Sequence, residues 1–248
     1  MTNLRIVRGI VVAGLVSVGV ATLPRHGASA QGLSSGDDDT ATGNVYARIG
    51  AGGLFPRQFD QDISYSPDLI TIVLPPDRRE SSLRSTPSVS AALGFAYPAG
   101  TRTELEYRYI SAGMDEVRHT GGFDPGPGAP VSVPVTPDGD FSVHFLMSNA
   151  YQTVLGNEEL SFFIGAGVGG AFTRNGFGQS DAAFAYQGRA GVSARVGDGY
   201  DMSVEYLYVR TRDLVYGPDD ALAAAGAIQI DGAQFISSGI TASLRKSF

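Results

Sequence analysis

The chain has 248 residues, a net charge of −7 and no cysteine. An acidic chain lacks the basic patches that neutralise phosphates, which argues against nucleic acid as a partner. Without thiols, neither a disulfide framework nor a thiolate metal site can form. The apolar content of 43% is that of an ordinary soluble protein, yet it also suits a chain whose strands cross a membrane, because only alternate residues then face lipid.

Residues 1–30 form a separate object. Arg5 and Arg8 make a basic start, an apolar run covers 9–23, and Ala28-Ser29-Ala30 closes the segment before Gln31. A basic n-region, a short apolar core and an A-x-A end describe a secretory signal peptide. The run stops at Pro24, short of the roughly twenty apolar residues that a spanning helix requires. Cleavage is expected after Ala30. Residues 31–43, small, polar and acidic at Asp37-Asp38-Asp39, read as a flexible periplasmic leader.

From Asn44 the hydropathy period is two, the signature of strands rather than helices. Eight segments follow in order. The first, 44–55, puts Val45, Ala47, Ile49, Ala51 and Phe55 on one face. The second, 88–97, sets Val89, Leu93, Phe95 and Tyr97 against Ser90 and Gly94. In the third, 101–110, Leu105, Tyr107 and Tyr109 oppose Glu104, Glu106 and Arg108. The fourth, 141–154, is less clean: if Phe141, Val143, Phe145 and Met147 face outward, Asn149 goes with them and His144 and Ser148 face inward. The fifth, 160–172, alternates Leu160, Phe162, Ile164 and Val168 with Gly165, Gly167 and Gly169. The sixth, 183–196, sets Phe184, Tyr186 and Val192 against Arg189, Ser193 and Arg195. The seventh, 201–210, shows Met202, Val204, Tyr206 and Tyr208 against Glu205, and the eighth, 234–248, shows Ile240 and Leu244 against Thr241 and Arg245.

Segments of about ten residues, tilted near 40°, cover a height of about 25 Å, the apolar band of an outer-membrane barrel. Connections alternate in length. Tight turns at 97–100, 155–158 and 197–199 are separated by long stretches at 56–87, 111–140 and 211–233 and a shorter one at 173–181. Short periplasmic turns and long extracellular loops follow the same plan. The predicted fold is all-β, an eight-stranded antiparallel transmembrane up-and-down barrel over 44–248. An apolar 69–75 and a possible short helix at 220–227 sit within the loops.

Three stretches carry a family likeness: Glu104-Leu105-Glu106-Tyr107-Arg108-Tyr109, Phe163-Ile164-Gly165-Ala166-Gly167-Val168-Gly169 and Phe184-Ala185-Tyr186-Gln187-Gly188-Arg189-Ala190-Gly191-Val192. The chain resembles the small eight-stranded outer-membrane β-barrels, which include opacity-type proteins, the outer-membrane-protein-A transmembrane domain and rickettsial surface antigens. The resemblance implies a Gram-negative outer-membrane location. It also implies that Phe248, an aromatic last residue on an alternating strand, is the signal read by the barrel-assembly machinery. Lys246 departs from the usual apolar residue at that position.

Gly165-Ala166-Gly167-Val168-Gly169-Gly170 matches G-x-G-x-x-G, but no helix pattern follows to receive a pyrophosphate, so these are packing glycines. His144, Ser148 and Asn149 faintly resemble the lipid A deacylases among eight-stranded barrels. Inward facing would deny them the lipid, so no enzyme is expected. The loop acids Asp115, Glu116, Asp124, Asp138 and Asp140 show no calcium-loop spacing, and neither a metal nor a cofactor is expected. The informative set is the inward charges: Arg48, Glu104, Glu106, Arg108, Arg189, Arg195, Glu205 and Arg245. An eight-stranded barrel is only wide enough for side chains to fill it, so these charges are expected to pair and shut the lumen. The function expected is a structural or surface-interaction barrel with mobile loops, meeting outer-membrane lipid and an unknown extracellular ligand. A small porin-like channel is the alternative, and a lipid A-modifying enzyme ranks third. If the first thirty residues are a cleaved signal, intact mass of the protein from outer membranes will correspond to a chain starting at Gln31; a retained segment overturns that reading.

Overall fold

The computed structural model describes residues 43–57, 59–65, 77–120, 133–135, 140–157, 159–175, 180–214, 228–231 and 234–248. Thirteen strands are present among them: β1 (Asn44–Pro56), β2 (Phe59–Tyr65), β3 (Asp77–Leu83), β4 (Thr86–Ala96), β5 (Thr101–Ala112), β6 (Met114–Thr120), β7 (Val133–Val135), β8 (Phe141–Gly156), β9 (Leu160–Arg174), β10 (Ser180–Gly197), β11 (Tyr200–Thr211), β12 (Ile228–Asp231) and β13 (Ile236–Ser247).

Eight of these close into a barrel in the order β1-β13-β11-β10-β9-β8-β5-β4. All neighbours are antiparallel, and the first and last staves join from Tyr46↔Ser247 to Pro56↔Ser237. Closure leaves no unpaired edge, which is what lets a sheet sit in lipid. Period-two burial is visible along β4, where every second residue from Thr86 to Gly94 is buried. The outer wall is apolar: Ile49, Leu93, Leu105, Ile164, Met202, Ile240 and Leu244 are all exposed. A continuous apolar band of that kind marks a surface made for lipid rather than water. Charged groups lie inside instead. The molecule is a membrane-spanning barrel of the outer-membrane type.

The three tight turns lie at one end. Pro98–Gly100 is a single 3-10 turn in which Ala99 and Gly100 have φ of 67° and 77°. Register shifts at Thr153/Leu155 in β8 and Arg195/Gly197 in β10 occur at this same rim. By the outer-membrane plan this is the periplasmic end.

The opposite end departs from the sequence reading. The long connections were expected to be irregular, mobile loops. Instead they contribute a second antiparallel sheet in the order β12-β2-β3-β6-β7. In sequence these strands adjoin β13, β1, β4, β5 and β8, so the second sheet repeats the stave order of one side of the barrel and extends that wall. Gly113 alone separates β5 from β6, and its carbonyl accepts a bond from the Arg84 amide at 3.0 Å, stitching the two hairpin arms where they leave the barrel. His119, read as a loop residue, pairs with Arg79. The segments 69–75 and 220–227 and the leader up to residue 42 lie outside the described residues.

If the outer wall faces lipid, Leu105→Arg, at mid-height on β5, will cost about 2–4 kcal/mol of insertion. Its folded fraction in liposomes, read by heat-modifiable gel mobility, should fall well below that of Leu105→Ala. Equal fractions would mean that this wall does not contact lipid.

Candidate functional site in the barrel lumen

Inward residues stack in layers along the barrel axis. The middle layer is ionic. Arg48 of β1, Glu104, Glu106 and Arg108 of β5, Arg189 of β10 and Glu205 of β11 are all buried, none more than 6% exposed. Three arginines meet three glutamates, so the layer is neutral.

Glu106 is the hub. It accepts from Arg48 Nη2 at 2.8 Å, Arg108 Nε at 2.9 Å, Arg189 Nη2 at 2.7 Å and Asn149 Nδ2 at 3.1 Å. Glu205 accepts from Arg189 Nη1 at 2.7 Å and Arg48 Nη1 at 3.3 Å. Glu104 accepts from Arg48 at 2.5 and 3.1 Å, from the Tyr151 hydroxyl at 2.7 Å and from the Tyr46 hydroxyl at 3.1 Å. Gln187 Nε2 donates to Asn149 Oδ1 at 2.5 Å, tying β10 to β8. Only Arg108 Nη2 and Arg189 Nε lack a partner among the described residues of this layer.

The glycines of β9 make this possible. A Cβ at Gly167 would lie 1.9 Å from Asn149 Oδ1, and one at Gly165 would lie 2.4 Å from the Tyr151 ring. Only hydrogen at these positions lets the two polar side chains lie flat against β9 and reach the carboxylates. The G-x-G-x-x-G run is therefore lumen packing. Among the described residues the next element is β10, and no helix meets a phosphate there.

Two of the eight expected members are elsewhere. Arg195 and Arg245 sit at the periplasmic rim, where both turn to Asp201: Arg245 at 2.6 and 3.1 Å, Arg195 at 3.8 Å. Parity alone put them in the network; both turn to Asp201 instead, although Arg245 is the cross-strand partner of Arg48, and a register shift lies beside Arg195. The sequence reading missed Tyr46, Tyr151, Asn149, Gln187 and Asp201. Tyr46 and Asp201 share the inward parity of Arg48 and Glu205, so the period-two rule could have found them.

Asn149 and Tyr151 were missed because the fourth segment was read inside out. Phe141, Val143, Phe145 and Met147 face inward, and His144 and Ser148 face outward. The reason is that the extracellular half of the lumen is itself apolar. Leu54, Ile110, Phe141, Val143, Phe145, Met147, Leu207, Val209 and Phe235 form one buried cluster. Phe235 stacks on Phe141 at 5.7 Å between centroids and tilts against Phe145 at 5.9 Å. Here the inward set is apolar and the outward set includes Ser142, His144 and Ser148, so hydropathy points the wrong way.

The outward position of His144 and Ser148 removes the argument that facing alone bars them from lipid. Their geometry decides the matter differently. His144 Nδ1 is bonded to the Tyr107 hydroxyl at 2.7 Å and its ring lies 4.9 Å from that of Tyr109. Ser148 is four strand residues away, about 13 Å at the usual rise, well beyond hydrogen-bond reach of His144. Phe248, at the end of β13, is exposed and its amide donates to Val45 O at 3.0 Å. Among the described residues no three His, Asp or Glu side chains are grouped as metal ligands.

No protein-family model matches the chain, and no curated protein matches it in sequence. Solved structures resemble it in fold. Neisserial surface protein A is 14% identical, over 82% of this chain and 97% of that one, with a TM-score of 0.42. The outer membrane protein OprG from Pseudomonas aeruginosa is 11% identical, over 82% and 96%, with a TM-score of 0.46. The outer membrane protease OmpT from Escherichia coli is 10% identical, over 85% and 99%, with a TM-score of 0.48.

Glu106 pairs with three arginines and is the sole carboxylate partner of Arg108 among the described residues, whereas Glu205 pairs with two arginines that both keep Glu106. Glu106→Gln should therefore lose about 3–5 kcal/mol of stability, and Glu205→Gln less. Urea titration of the folded protein in liposomes, followed by circular dichroism, will rank them. Parental stability in Glu106→Gln would show that the layer does not hold the barrel together.

Proposed function

We propose that the protein is a sealed, non-catalytic outer-membrane barrel that holds a sheet at the cell surface for interaction with an extracellular partner. In this reading the chain is exported with a cleaved signal peptide and is inserted by assembly machinery that reads Phe248.

The observation that carries the proposal is the double closure of the lumen. Ions crossing the barrel would meet the six-charge layer around Glu106 and then the apolar cluster around Phe145 and Phe235. Either would obstruct a conduit, and the two in series support a closed lumen. A scaffold closed in this way has its accessible chemistry outside, on the wall formed by β12, β2, β3, β6 and β7. Residues presented by a rigid scaffold at loop positions are where binding functions concentrate. The pair on which the catalytic alternative was weighed is not assembled: His144 is engaged by Tyr107 and Ser148 is out of its reach.

Purified refolded protein in planar bilayers is expected to be electrically silent, and lipid A from overexpressing cells is expected to keep its mass. Cells displaying the full chain should adhere to protein-coated surfaces better than cells displaying a chain lacking 59–83. Steady conductance would put the channel reading first, altered lipid A mass the enzyme reading, and equal adhesion would remove the role of the sheet.

A further inference from the structure

Near the extracellular margin of the outer wall, β5 and β8 place a hydrogen-bonded pair of side chains on the face turned to lipid. Tyr107 and His144 are both exposed, and the Tyr107 hydroxyl lies 2.7 Å from His144 Nδ1. Tyr109, the cross-strand partner of His144, braces the imidazole with its own ring, 4.9 Å away and tilted by 42°. The neighbours in the wall are apolar: Val89 pairs with Tyr109, Phe172 with His144 and Leu146 with Tyr107.

Register fixes the height of the pair. Tyr109, His144 and Phe172 form one cross-strand row, and the next outward row toward the cell surface is Ser111, Ser142 and Arg174. The apolar wall thus gives way to polar residues one pleat above His144, the level at which a bilayer passes from acyl chains to headgroups. Polar groups turned to hydrocarbon cost free energy unless a partner meets them, and at this level the partner at hand is a headgroup. The pair has a proton to offer in either arrangement. If the hydroxyl donates to Nδ1, the neutral imidazole carries its hydrogen on Nε2; if Nδ1–H donates, the phenol O–H is released. Just below, Gly170 lies between Leu146 and Phe184 in the register, and an added Cβ there would meet only the Phe172 ring, at 3.7 Å. The missing side chain leaves a dent in the wall beneath the pair, in which an acyl chain can lie.

We propose that Tyr107 and His144 form a binding site for an outer-leaflet lipid, donating to a phosphate monoester of its headgroup while an acyl chain fills the dent at Gly170. An ionised phosphate oxygen accepts such a donor roughly twice as strongly as a neutral oxygen does. Contact with the rings of Tyr107 and Tyr109, 6.0 and 4.9 Å from that of His144, sets the direction of the donor before the lipid arrives, which lowers the ordering cost of binding. The lipid is held and not altered. The site is independent of the surface role proposed above.

The test is native mass spectrometry of the full chain refolded in maltoside micelles. The two probes are lipid A, which carries phosphate monoesters, and dephosphorylated lipid A. One saturable lipid A per barrel is expected, held at least about tenfold less tightly in Tyr107→Phe and in His144→Gln. Dephosphorylated lipid A should bind the parent at least about tenfold more weakly than lipid A. Tyr206→Phe, which removes an exposed hydroxyl from β11, should bind lipid A as the parent does. Heat-modifiable gel mobility checks that each variant is folded. Should His144→Gln fail to fold, Tyr107→Phe, which removes a single oxygen atom, decides the question. Absence of a saturable complex in the parent overturns the proposal, and so does undiminished binding in folded Tyr107→Phe or equal binding of the dephosphorylated lipid. A lipid-free dimer that Tyr107→Phe dissociates would assign the pair to a second copy of the chain and overturn it as well.

Discussion

The carboxylate of Glu106 is the point on which the interior depends. Three guanidinium groups converge on it from β1, β5 and β10, so staves that are not neighbours in the sheet are tied across the lumen. Backbone pairing fixes each strand only to the strands beside it. The ionic layer supplies the cross-barrel contacts, and it does so where the bore is too narrow for bulk water to solvate a lone charge. Neutrality follows from the same constraint: three acids and three bases are stable there, whereas four and two would leave charge unpaired at a cost of several kcal/mol.

Other features follow from that layer. Gly165 and Gly167 are glycine because Tyr151 and Asn149 must lie against β9 to bond Glu104 and Glu106. The side chains above and below are then free to differ. On the periplasmic side the lumen remains polar and opens into a hollow; on the extracellular side it fills with Phe141, Phe145 and Phe235. The apolar fill sits directly beneath the point where β5 passes into β6 and β1 into β2. The second sheet therefore rises from a packed base, and Met114, the first residue of β6, belongs to the same buried cluster.

Much of this was readable in the chain. Period-two alternation located all eight staves and placed Arg48, Glu104, Glu106, Arg108, Arg189 and Glu205 inward, because lipid outside and ion pairs inside give opposite hydropathies to adjacent residues. Legibility failed wherever that contrast vanished or reversed. In β8 it is reversed over 141–148, with Phe141, Val143, Phe145 and Met147 inside and Ser142, His144 and Ser148 outside, and the facing was inverted. In β3, Arg78-Arg79-Glu80-Ser81-Ser82 has no contrast because a strand paired on both edges needs only its backbone to be held. Arg195 and Arg245 have the right parity but turn to Asp201, and parity carries no information about partners.

The charged interior also bears on how such a chain reaches its membrane. An apolar lumen would pack well, and replacing buried ion pairs by fitted apolar residues is often neutral or stabilising. It would, however, give strands apolar on both faces. Residues 160–172 come closest to that condition, and there glycine and alanine, not large apolar groups, occupy much of the inward face. With Glu104, Glu106 and Arg108 on β5 and Arg189 on β10, no stretch of the barrel approaches the eighteen or more consecutive apolar residues that are read as a spanning helix. The ionic layer thus solves two problems with one set of residues. It puts charge on four of the eight staves, β1, β5, β10 and β11, and it forms a packed core of the barrel where those staves meet.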